Sequence, residues 1–176
     1  MRFEFSAGGV VYKHGVPLNE GTQNTTKNIV VLVCQHSQHH GWVFPKGLID
    51  KKESGIMNHE SRRETKEEAA LREVKEETGV YGKIIKPLTP VTYWYAFQRD
   101  PSTGSGQEKI KKTVYYFLME YVSGNTTDHD FEMENVEWLP IDEVEERLTY
   151  KSDKEVWTEA KEKIRNSNIE IRNKSK

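Results

Sequence analysis

The sequence predicts a single domain of the α/β (α+β) class, which combines β-strands with α-helices. The chain has 176 residues, close to the usual size of one domain. Several short segments are rich in β-branched and aromatic residues, as strands are, and three segments show helical patterns. We expect the domain to occupy residues 1–165 and a polar, frayed tail to occupy residues 166–176.

The strands are predicted from β-branched residues, alternation, and the turn residues between them. Ala7, Gly8 and Gly9 lie within the first strand and allow another backbone to approach closely. Pro45 lacks a backbone donor and Gly47 follows it, so the pair predicts a turn. Loops are predicted at residues 14–28 and 100–107. The predicted strands are residues 3–13, 29–34, 42–44, 83–88, 91–97, 113–121 and 136–139.

The best-defined helix is predicted between residues 65 and 78. Thr65 and Glu68 form the capping-box pattern, in which each side chain accepts a hydrogen bond from the other residue's backbone N–H. Gly79 supplies the left-handed position that commonly ends a helix. Two further helices are predicted at residues 141–148 and from residue 152 onwards, the second with an apolar face formed by Val156, Ala160 and Ile164.

Composition limits what the protein can bind. The net charge of −2 gives no overall attraction to nucleic acid, so any polyanionic substrate must be bound locally. The single cysteine, Cys34, lies in an apolar run and is predicted to be a buried apolar side chain rather than a nucleophile. We find no basic leader and no apolar stretch of about 18 residues, so we expect a cytoplasmic protein outside the membrane.

Three carboxylates are predicted to share one face of the helix. Glu76 and Glu77 follow Glu73 by three and four residues, which makes them neighbours on the helix surface. Like charges at this spacing repel, and the negative end of the helix dipole adds to the repulsion. A bound cation would compensate, and oxygen ligands suit Mg²⁺, with Mn²⁺ as a substitute. The competing interpretation is a solvated acidic face paired with Lys66, Arg72 and Lys75.

The same run of residues resembles the Nudix box. That pattern is a Gly, five residues, a Glu, seven residues, and then Arg, Glu, an aliphatic, any residue, Glu, Glu, any residue, Gly and an aliphatic. Every fixed position from Arg72 to Val80 is filled in this chain. Flanking segments also resemble Nudix enzymes that act on dinucleoside polyphosphates or diphosphoinositol phosphates. The resemblance implies the Nudix fold, a mixed β-sheet between helices, and metal-dependent hydrolysis of a pyrophosphate bond in a nucleoside diphosphate linked to another group.

The front half of the pattern contains a departure. Five residues separate Gly47 from Glu53, as expected, but 18 residues separate Glu53 from Arg72 where the pattern has seven. This spacing indicates an insertion of 11 residues within residues 54–66. Glu64 stands seven residues before Arg72 and is the alternative box glutamate, with the insertion ahead of it. We prefer Glu53.

The resemblance implies roles for individual side chains. Glu73, Glu76 and Glu77 are expected to bind the metal, and Arg72 is expected to orient their carboxylates through charge-assisted hydrogen bonds. The general base varies within the family. Its candidates are Glu76, Glu77 and a downstream acid, for which we choose Glu132, with Glu134 as the alternative and an ordinary exposed loop acid as the competing interpretation of both.

Substrate-binding candidates include lysines and a tyrosine. Lys46 is the preferred phosphate-binding residue because of its place in the predicted turn. Lys111 and Lys112 are further candidates, although a solvated surface lysine is the competing interpretation for each of the three. Tyr95 lies where dinucleoside polyphosphate hydrolases of the Nudix family carry a substrate-binding tyrosine. The expected ligand is therefore a phosphorylated small molecule.

Other aromatic side chains are interpreted as structural. Tyr93, Tyr95 and Phe97 alternate and share one strand face, and we expect two of the three to pack in the core. The six histidines show no zinc-ligand pattern and are expected at the surface, including His36, His39 and His40.

Two other functions stay open at this point. One is a pyrophosphatase for damaged nucleoside triphosphates or for capped or triphosphorylated RNA ends, which a substrate panel would separate. The other is a Nudix-fold module that senses a nucleotide without cutting it. The intact Arg72, Glu73, Glu76 and Glu77 argue against a sensor, since a sensor does not need the full metal constellation. The sequence makes no prediction of the oligomeric state.

Overall fold

The computed structural model describes residues 1–15, 29–49, 64–98 and 107–174, without the side chains at positions 97, 98, 107 and 168–174. These residues form one mixed sheet and three α-helices. The strands are β1 (Arg2–His14), β2 (Ile29–His36), β3 (Trp42–Val43), β4 (Lys46–Leu48), β5 (Val80–Pro87), β6 (Val91–Gln98), β7 (Gln107–Gly124) and β8 (Met133–Pro140). The helices are α1 (Lys66–Thr78), α2 (Val144–Arg147) and α3 (Lys151–Lys174).

The long strands β1 and β7 form the centre of the sheet. They run parallel, with Arg2 opposite Ile110 and Tyr12 opposite Glu120. The order along the sheet is β3-β2-β1-β7-β5, while β4 pairs with β1, β6 with β7 and β8 with β2. All of these other pairings are antiparallel. The mixed sheet predicted from the sequence is therefore confirmed.

Alternate residues of β1 pack into separate cores on the two faces of the sheet. Ala7 and Val11 share a buried cluster with Val74 of α1. Val10 and Tyr12 share another with Trp157 of α3. Because helices cover both faces, the middle of β1 is buried at every position. The sheet lies between α1 and α3, as expected.

Several predicted boundaries are corrected. Lys46–Leu48 is the strand β4, paired with residues 6–8, where Pro45 and Gly47 had predicted a turn. Pro45 has no N–H to donate, but its carbonyl accepts a hydrogen bond from the Gly9 N–H at 3.1 Å, which brings this segment against β1. Helix α2 is shorter than predicted, and α3 extends to Lys174, within the segment expected to be a polar tail. Most of the two predicted loops, at residues 16–28 and 99–106, lies outside the described residues.

Cys34 is fully buried and its thiol lies 3.4 Å from the Val43 carbonyl, so its interpretation as an apolar core residue is confirmed. Among the described residues no helix is both long and apolar enough to cross a lipid bilayer.

Candidate active site

Helix α1 carries the acidic residues, and its ends are fixed by local interactions. The Thr65 side chain accepts from the Glu68 N–H at 3.1 Å, and Glu68 accepts from the Thr65 N–H at 2.9 Å, which completes the predicted capping box. Gly79 adopts φ 71°, and its N–H donates to the Lys75 carbonyl at 2.8 Å. Both ends of the predicted helix are therefore confirmed.

Strand β4 lies directly against the carboxylate face of α1. A side chain at Gly47 would overlap the Glu73 carboxylate, so this position requires the absence of a Cβ. The Lys46 N–H donates to Glu77 Oε2 at 2.8 Å, and Glu77 is only 4% exposed. The Gly47 segment of the motif and its helical half are thus in contact, and both line a cavity.

Arg72 organises the carboxylate face of α1 and donates five hydrogen bonds to other described residues. Its Nη1 donates to Glu73 Oε1 at 2.7 Å and to Glu76 Oε2 at 3.0 Å. Its Nη2 donates to the Leu48 carbonyl, and Nε and Nη2 together donate to both carboxylate oxygens of Glu64 at 2.9 and 3.0 Å. These contacts raise the pKa of Arg72, with the Glu64 hydrogen bonds as the largest cause. The guanidinium lies where it can orient two of the three candidate metal ligands.

The contacts of Glu64 bear on the uncertain glutamate of the motif. Glu64 is 7% exposed and forms the paired contact with Arg72, whereas Glu53 lies outside the described residues. Thr65 is the N-cap of helix α1, so Glu64 immediately precedes the helix that carries the rest of the motif. These contacts favour Glu64 over Glu53, and we treat Glu64 as the proposed partner of Arg72. The insertion is then ahead of Glu64.

Burial perturbs two of the three carboxylates. Desolvation by burial raises the pKa of Glu77 to about 8, opposed by the charge and backbone N–H of Lys46. Burial also raises the pKa of Glu73, opposed by the hydrogen bond and charge of Arg72. Glu76 is exposed. A buried carboxyl group that resists ionisation without a cation gains stabilisation when a cation binds beside it.

The donor set fits a hard divalent cation, but its arrangement differs from the predicted convergence. Glu73, Glu76 and Glu77 line the same cavity, and all their donors are carboxylate oxygens. Within the described residues, however, no three acidic, histidine or cysteine side chains are arranged to hold a metal ion. Arg72 holds Glu73 and Glu76, while Glu77 accepts from the Lys46 backbone. A cation would have to draw these carboxylates together.

Lysine and tyrosine side chains line the same cavity from other elements. Lys46, Lys112, Tyr93 and Tyr95 all contribute. Among the described residues neither lysine forms an ion pair through its ammonium group. Burial lowers the pKa of Lys112, and the positive charge of Lys46 lowers it further. The cavity therefore holds two cationic side chains that repel each other and suit an anionic ligand.

Asp153 fixes the backbone beside Lys46. Its Oδ1 accepts from the Phe44 N–H at 3.1 Å and lies 3.4 Å from the Tyr116 hydroxyl, and the residue is 2% exposed. Burial alone would lower the pKa of Lys46. The negative charges of Asp153 and then Glu77 outweigh this effect, so the pKa of Lys46 is raised. Sequence patterns did not single out Asp153, because α3 reaches the cavity only through the tertiary fold.

The strand β6 face contributes two tyrosines to the cavity. Tyr93 and Tyr95 both line it, and Tyr93 also packs against the core, as expected for two of the three alternating aromatics. The Tyr95 hydroxyl donates to Glu4 at 2.7 Å. Burial, followed by this hydrogen bond, raises the pKa of Tyr95 to about 12. The Phe97 side chain lies outside the described residues.

The structure separates the two downstream acids. Glu132 lines the cavity, and its carbonyl accepts from the Ser37 N–H at 2.9 Å. Glu134 does not line the cavity, and its carboxylate lies 2.6 Å from His40 Nδ1. The geometry favours Glu132 over Glu134 as the candidate base.

Three other candidates are placed differently. Lys111 does not line the cavity and lies with its ammonium 5.6 Å from the centre of the Trp94 ring. His39 is exposed, as expected, and His36 is half-buried. Both line the cavity, which the sequence did not predict. In the sequence, only their closeness to Lys46 along the chain pointed to His36 and His39. They lie at the end of β2 and in the connection to β3, where no periodic pattern indicates the direction of a side chain.

The family model described as the NUDIX domain matches residues 15–160. The chain therefore belongs to the Nudix family. It is 32% identical over 123 residues, 70% of the chain, to a candidate mutator protein, MutT4, of Mycobacterium tuberculosis (strain CDC 1551 / Oshkosh). It is 27% identical over 150 residues, 85% of the chain, to an 8-oxo-(d)GTP phosphatase of Mycolicibacterium smegmatis. The chain spans 42% and 39% of the lengths of these curated relatives.

Solved structures share the fold at lower identity. A C. elegans Ap4A hydrolase in a binary complex has a TM-score of 0.57 and 18% identity, with 93% of this chain and 98% of that chain covered. The NUDIX domain of Shewanella oneidensis NrtR, complexed with ADP ribose, has a TM-score of 0.58 and 20% identity, with 93% and 90% covered. The helix-sheet-helix architecture described above is thus the Nudix fold.

Proposed function

We propose that this protein is a metal-dependent hydrolase that cleaves a pyrophosphate bond in a nucleoside diphosphate linked to another group. The preferred substrate is a dinucleoside polyphosphate or another nucleoside polyphosphate, and the proposed location is the cytoplasm. One observation carries the proposal. A single cavity of about 1060 Å³ is lined both by the carboxylates of helix α1, Glu73, Glu76 and Glu77, and by two lysines of the sheet, Lys46 and Lys112.

This arrangement suits a polyphosphate chain bridged to carboxylates by a cation. Phosphates and carboxylates repel, so an anionic substrate can approach the acidic wall only when positive charge lies between them. Glu73, Glu76 and Glu77 would hold the cation, for which we propose Mg²⁺ with Mn²⁺ as a substitute. When bound, the cation supplies electrostatic stabilisation of charge on the phosphate oxygens.

The remaining residues have separable roles. Arg72 orients Glu73 and Glu76 through the hydrogen bonds from Nη1. Lys46 and Lys112, from strands β4 and β7, bind phosphate oxygens and restrict the substrate to one position. Glu132 lies at the same cavity and can accept a proton from the attacking water, with Glu76 and Glu77 as further candidates.

A nucleoside triphosphate pyrophosphatase is the second candidate. The relative with 27% identity is named for 8-oxo-(d)GTP, a nucleoside triphosphate. Its chemistry would use the same acidic wall and lysines, so the two candidates differ only in the group attached beyond the phosphates. A sensor module without hydrolysis is disfavoured because all three carboxylates face the cavity.

A substrate panel tests the proposal. The full chain is incubated with Mg²⁺ and with dinucleoside polyphosphates, canonical and oxidised nucleoside triphosphates, ADP-ribose and diphosphoinositol phosphates, and products are separated by ion exchange. We expect metal-dependent cleavage, fastest with a dinucleoside polyphosphate. Preference for the oxidised triphosphate would select the second candidate, and specific binding of a nucleotide without turnover would select the sensor.

A further inference from the structure

Two histidine rings form a stacked pair at the cavity, and the proposed mechanism does not use them. His36 is the last residue of β2, and His39 lies in the connection to β3. Their ring centroids are 4.1 Å apart and the ring planes differ by 17°. Both side chains line the cavity that contains Lys46 and Glu132.

Backbone hydrogen bonds fix the tautomer of each ring. The Gln38 N–H donates to His36 Nδ1 at 3.1 Å, and the Gly41 N–H donates to His39 Nδ1 at 3.1 Å. A backbone N–H is only a donor, so each Nδ1 must present its lone pair and the proton of the neutral ring is on Nε2. The Tyr150 hydroxyl, 3.0 Å from His39 Nδ1, donates to the same atom.

The surroundings also keep both rings neutral. Burial lowers the pKa of His36, and the positive charge of Lys46 lowers it further. Burial likewise lowers the pKa of His39, with contributions from His36 and Lys46. Protonation would place a second N–H against the backbone donor at each Nδ1. Each ring therefore offers an Nε2–H donor.

Neither of these donors is used by the part of the chain that the structure describes. Among the described residues, neither Nε2 atom has a hydrogen-bond partner. The fixed tautomer also argues against a metal-ligand role, because coordination through Nε2 would require the proton to move to Nδ1, where a backbone N–H points. A pair of unpaired N–H donors beside Lys46 instead matches an anionic oxygen ligand.

We propose that His36 and His39 form a phosphate subsite, in which their two Nε2–H groups donate to non-bridging oxygens of a substrate phosphate neighbouring the one bound by Lys46. This proposal deepens the proposed function and rests on it for the identity of the substrate. Stacking holds the two rings against each other at the cavity. Because the rings are neutral, they do not add a third positive charge next to Lys46 and Lys112. The subsite would favour substrates with more than two phosphates in a chain.

Binding of inorganic tripolyphosphate in the presence of Mg²⁺ tests the subsite without requiring turnover. Isothermal calorimetry would compare wild type with the double variant H36F/H39F, which keeps two aromatic rings but removes both donors. We expect the double variant to bind about tenfold more weakly, since it loses hydrogen bonds to a charged acceptor. The variant H36Q/H39Q restores an amide N–H near each Nε2 position and should stay within about threefold of wild type. H14F is the control outside the cavity.

A second measurement uses the wild-type protein and does not depend on whether H36F/H39F folds. Histidine ¹⁵N spectra of wild type should show His36 and His39 as neutral Nε2–H tautomers, with both Nε2 signals shifting as tripolyphosphate is added. Equal affinity of wild type and folded H36F/H39F, or Nε2 signals that do not shift, would overturn the subsite. Histidine-dependent binding without hydrolysis of any panel substrate would keep the subsite and reject the proposed hydrolase.

Discussion

The two walls of the cavity are built in different ways. The acidic wall comes from one helix, whose residues Glu73, Glu76 and Glu77 share a face through local spacing. The other part of the lining, the sheet wall, collects Lys46 from β4, Tyr95 from β6 and Lys112 from β7, together with residues of the hairpin and α3. The first wall depends on a helix, and the second depends on the whole sheet being folded.

This difference separates chemistry from recognition. The helix brings charges that repel and that a cation can compensate, so changes there should affect the reaction rate and the response to metal. Under the proposed function, the sheet brings donors and cations that would hold phosphate oxygens, so changes there should affect substrate affinity. The predictions below test whether the two walls can be separated in this way.

The largest effect is expected from Glu76→Gln on the acidic wall. The substitution removes one ligand charge with almost no change in side-chain volume, and Glu76 is exposed, so the fold should persist. We expect kcat to fall roughly 100- to 1000-fold, as loss of several kcal/mol of electrostatic stabilisation implies. Glu67→Gln, on the exposed first turn of the same helix, is the control. Normal turnover by folded Glu76→Gln protein would show that the acidic wall does not take part in the reaction.

The next effect concerns stability without metal. Folding raises the pKa of Glu77 from 4.5 to about 8, so the folded state holds this proton more tightly than the unfolded chain. The Glu77 contribution is fully present below about pH 4.5 and is lost as pH rises through 8. At pH 7 the loss is on the order of 3 kcal/mol, since one pKa unit corresponds to about 1.4 kcal/mol. Glu77→Gln should therefore unfold with a flatter pH dependence in chelator.

Denaturant unfolding across this pH range, in chelator and in millimolar Mg²⁺, gives the measurement. Wild type should gain stability as Mg²⁺ is added, because the cation binds only the folded state, and Glu77→Gln should gain much less. Glu67→Gln again serves as the control. If both variants respond to pH and Mg²⁺ like wild type, Glu77 is not a metal ligand.

A smaller effect locates the glutamate that supports Arg72. Glu64→Gln replaces a carboxylate that accepts two N–H groups with an amide that can accept only at one oxygen. We expect a loss of about 2 kcal/mol in the free energy of unfolding, below the usual cost of breaking a buried pair because Arg72 keeps its other partners. Glu53→Gln is the matched variant. A larger loss in Glu53→Gln would restore the assignment preferred from spacing alone.

These expectations show what the sequence could predict. The helix, its caps and the three carboxylates follow from contacts within four residues, so spacing was sufficient to place them. The insertion could not be placed, because Glu53 has the expected spacing from Gly47 while Glu64 has the expected spacing from Arg72. The contact between Glu64 and Arg72, which depends on folding, supports Glu64, while Glu53 lies outside the described residues.

The sheet wall was less predictable for a physical reason. Alternation tells which residues share a strand face, but it does not tell whether that face meets a helix or a cavity. Tyr93 illustrates this, since it packs against the core at one side and lines the cavity at the other. His36, His39 and Asp153 lie in a strand end, a hairpin and a distant helix, which only the tertiary fold brings together.

The smallest effect is expected from a pair of adjacent lysines on the sheet wall. Lys111 and Lys112 are neighbours in β7 and so point to opposite faces, with Lys112 at the cavity and Lys111 beside Trp94. Lys112→Met keeps most of the side-chain volume and removes the charge. We expect KM to rise about tenfold with kcat nearly unchanged, because one contact to a charged phosphate is worth about 1.4 kcal/mol or more. Lys111→Met should leave both constants at wild-type values. Equal effects of the two substitutions would mean that the overall positive charge of the surface, rather than a specific phosphate-binding site, attracts the substrate. A fall in kcat with unchanged KM for Lys112→Met would show that the two walls do not divide chemistry from recognition.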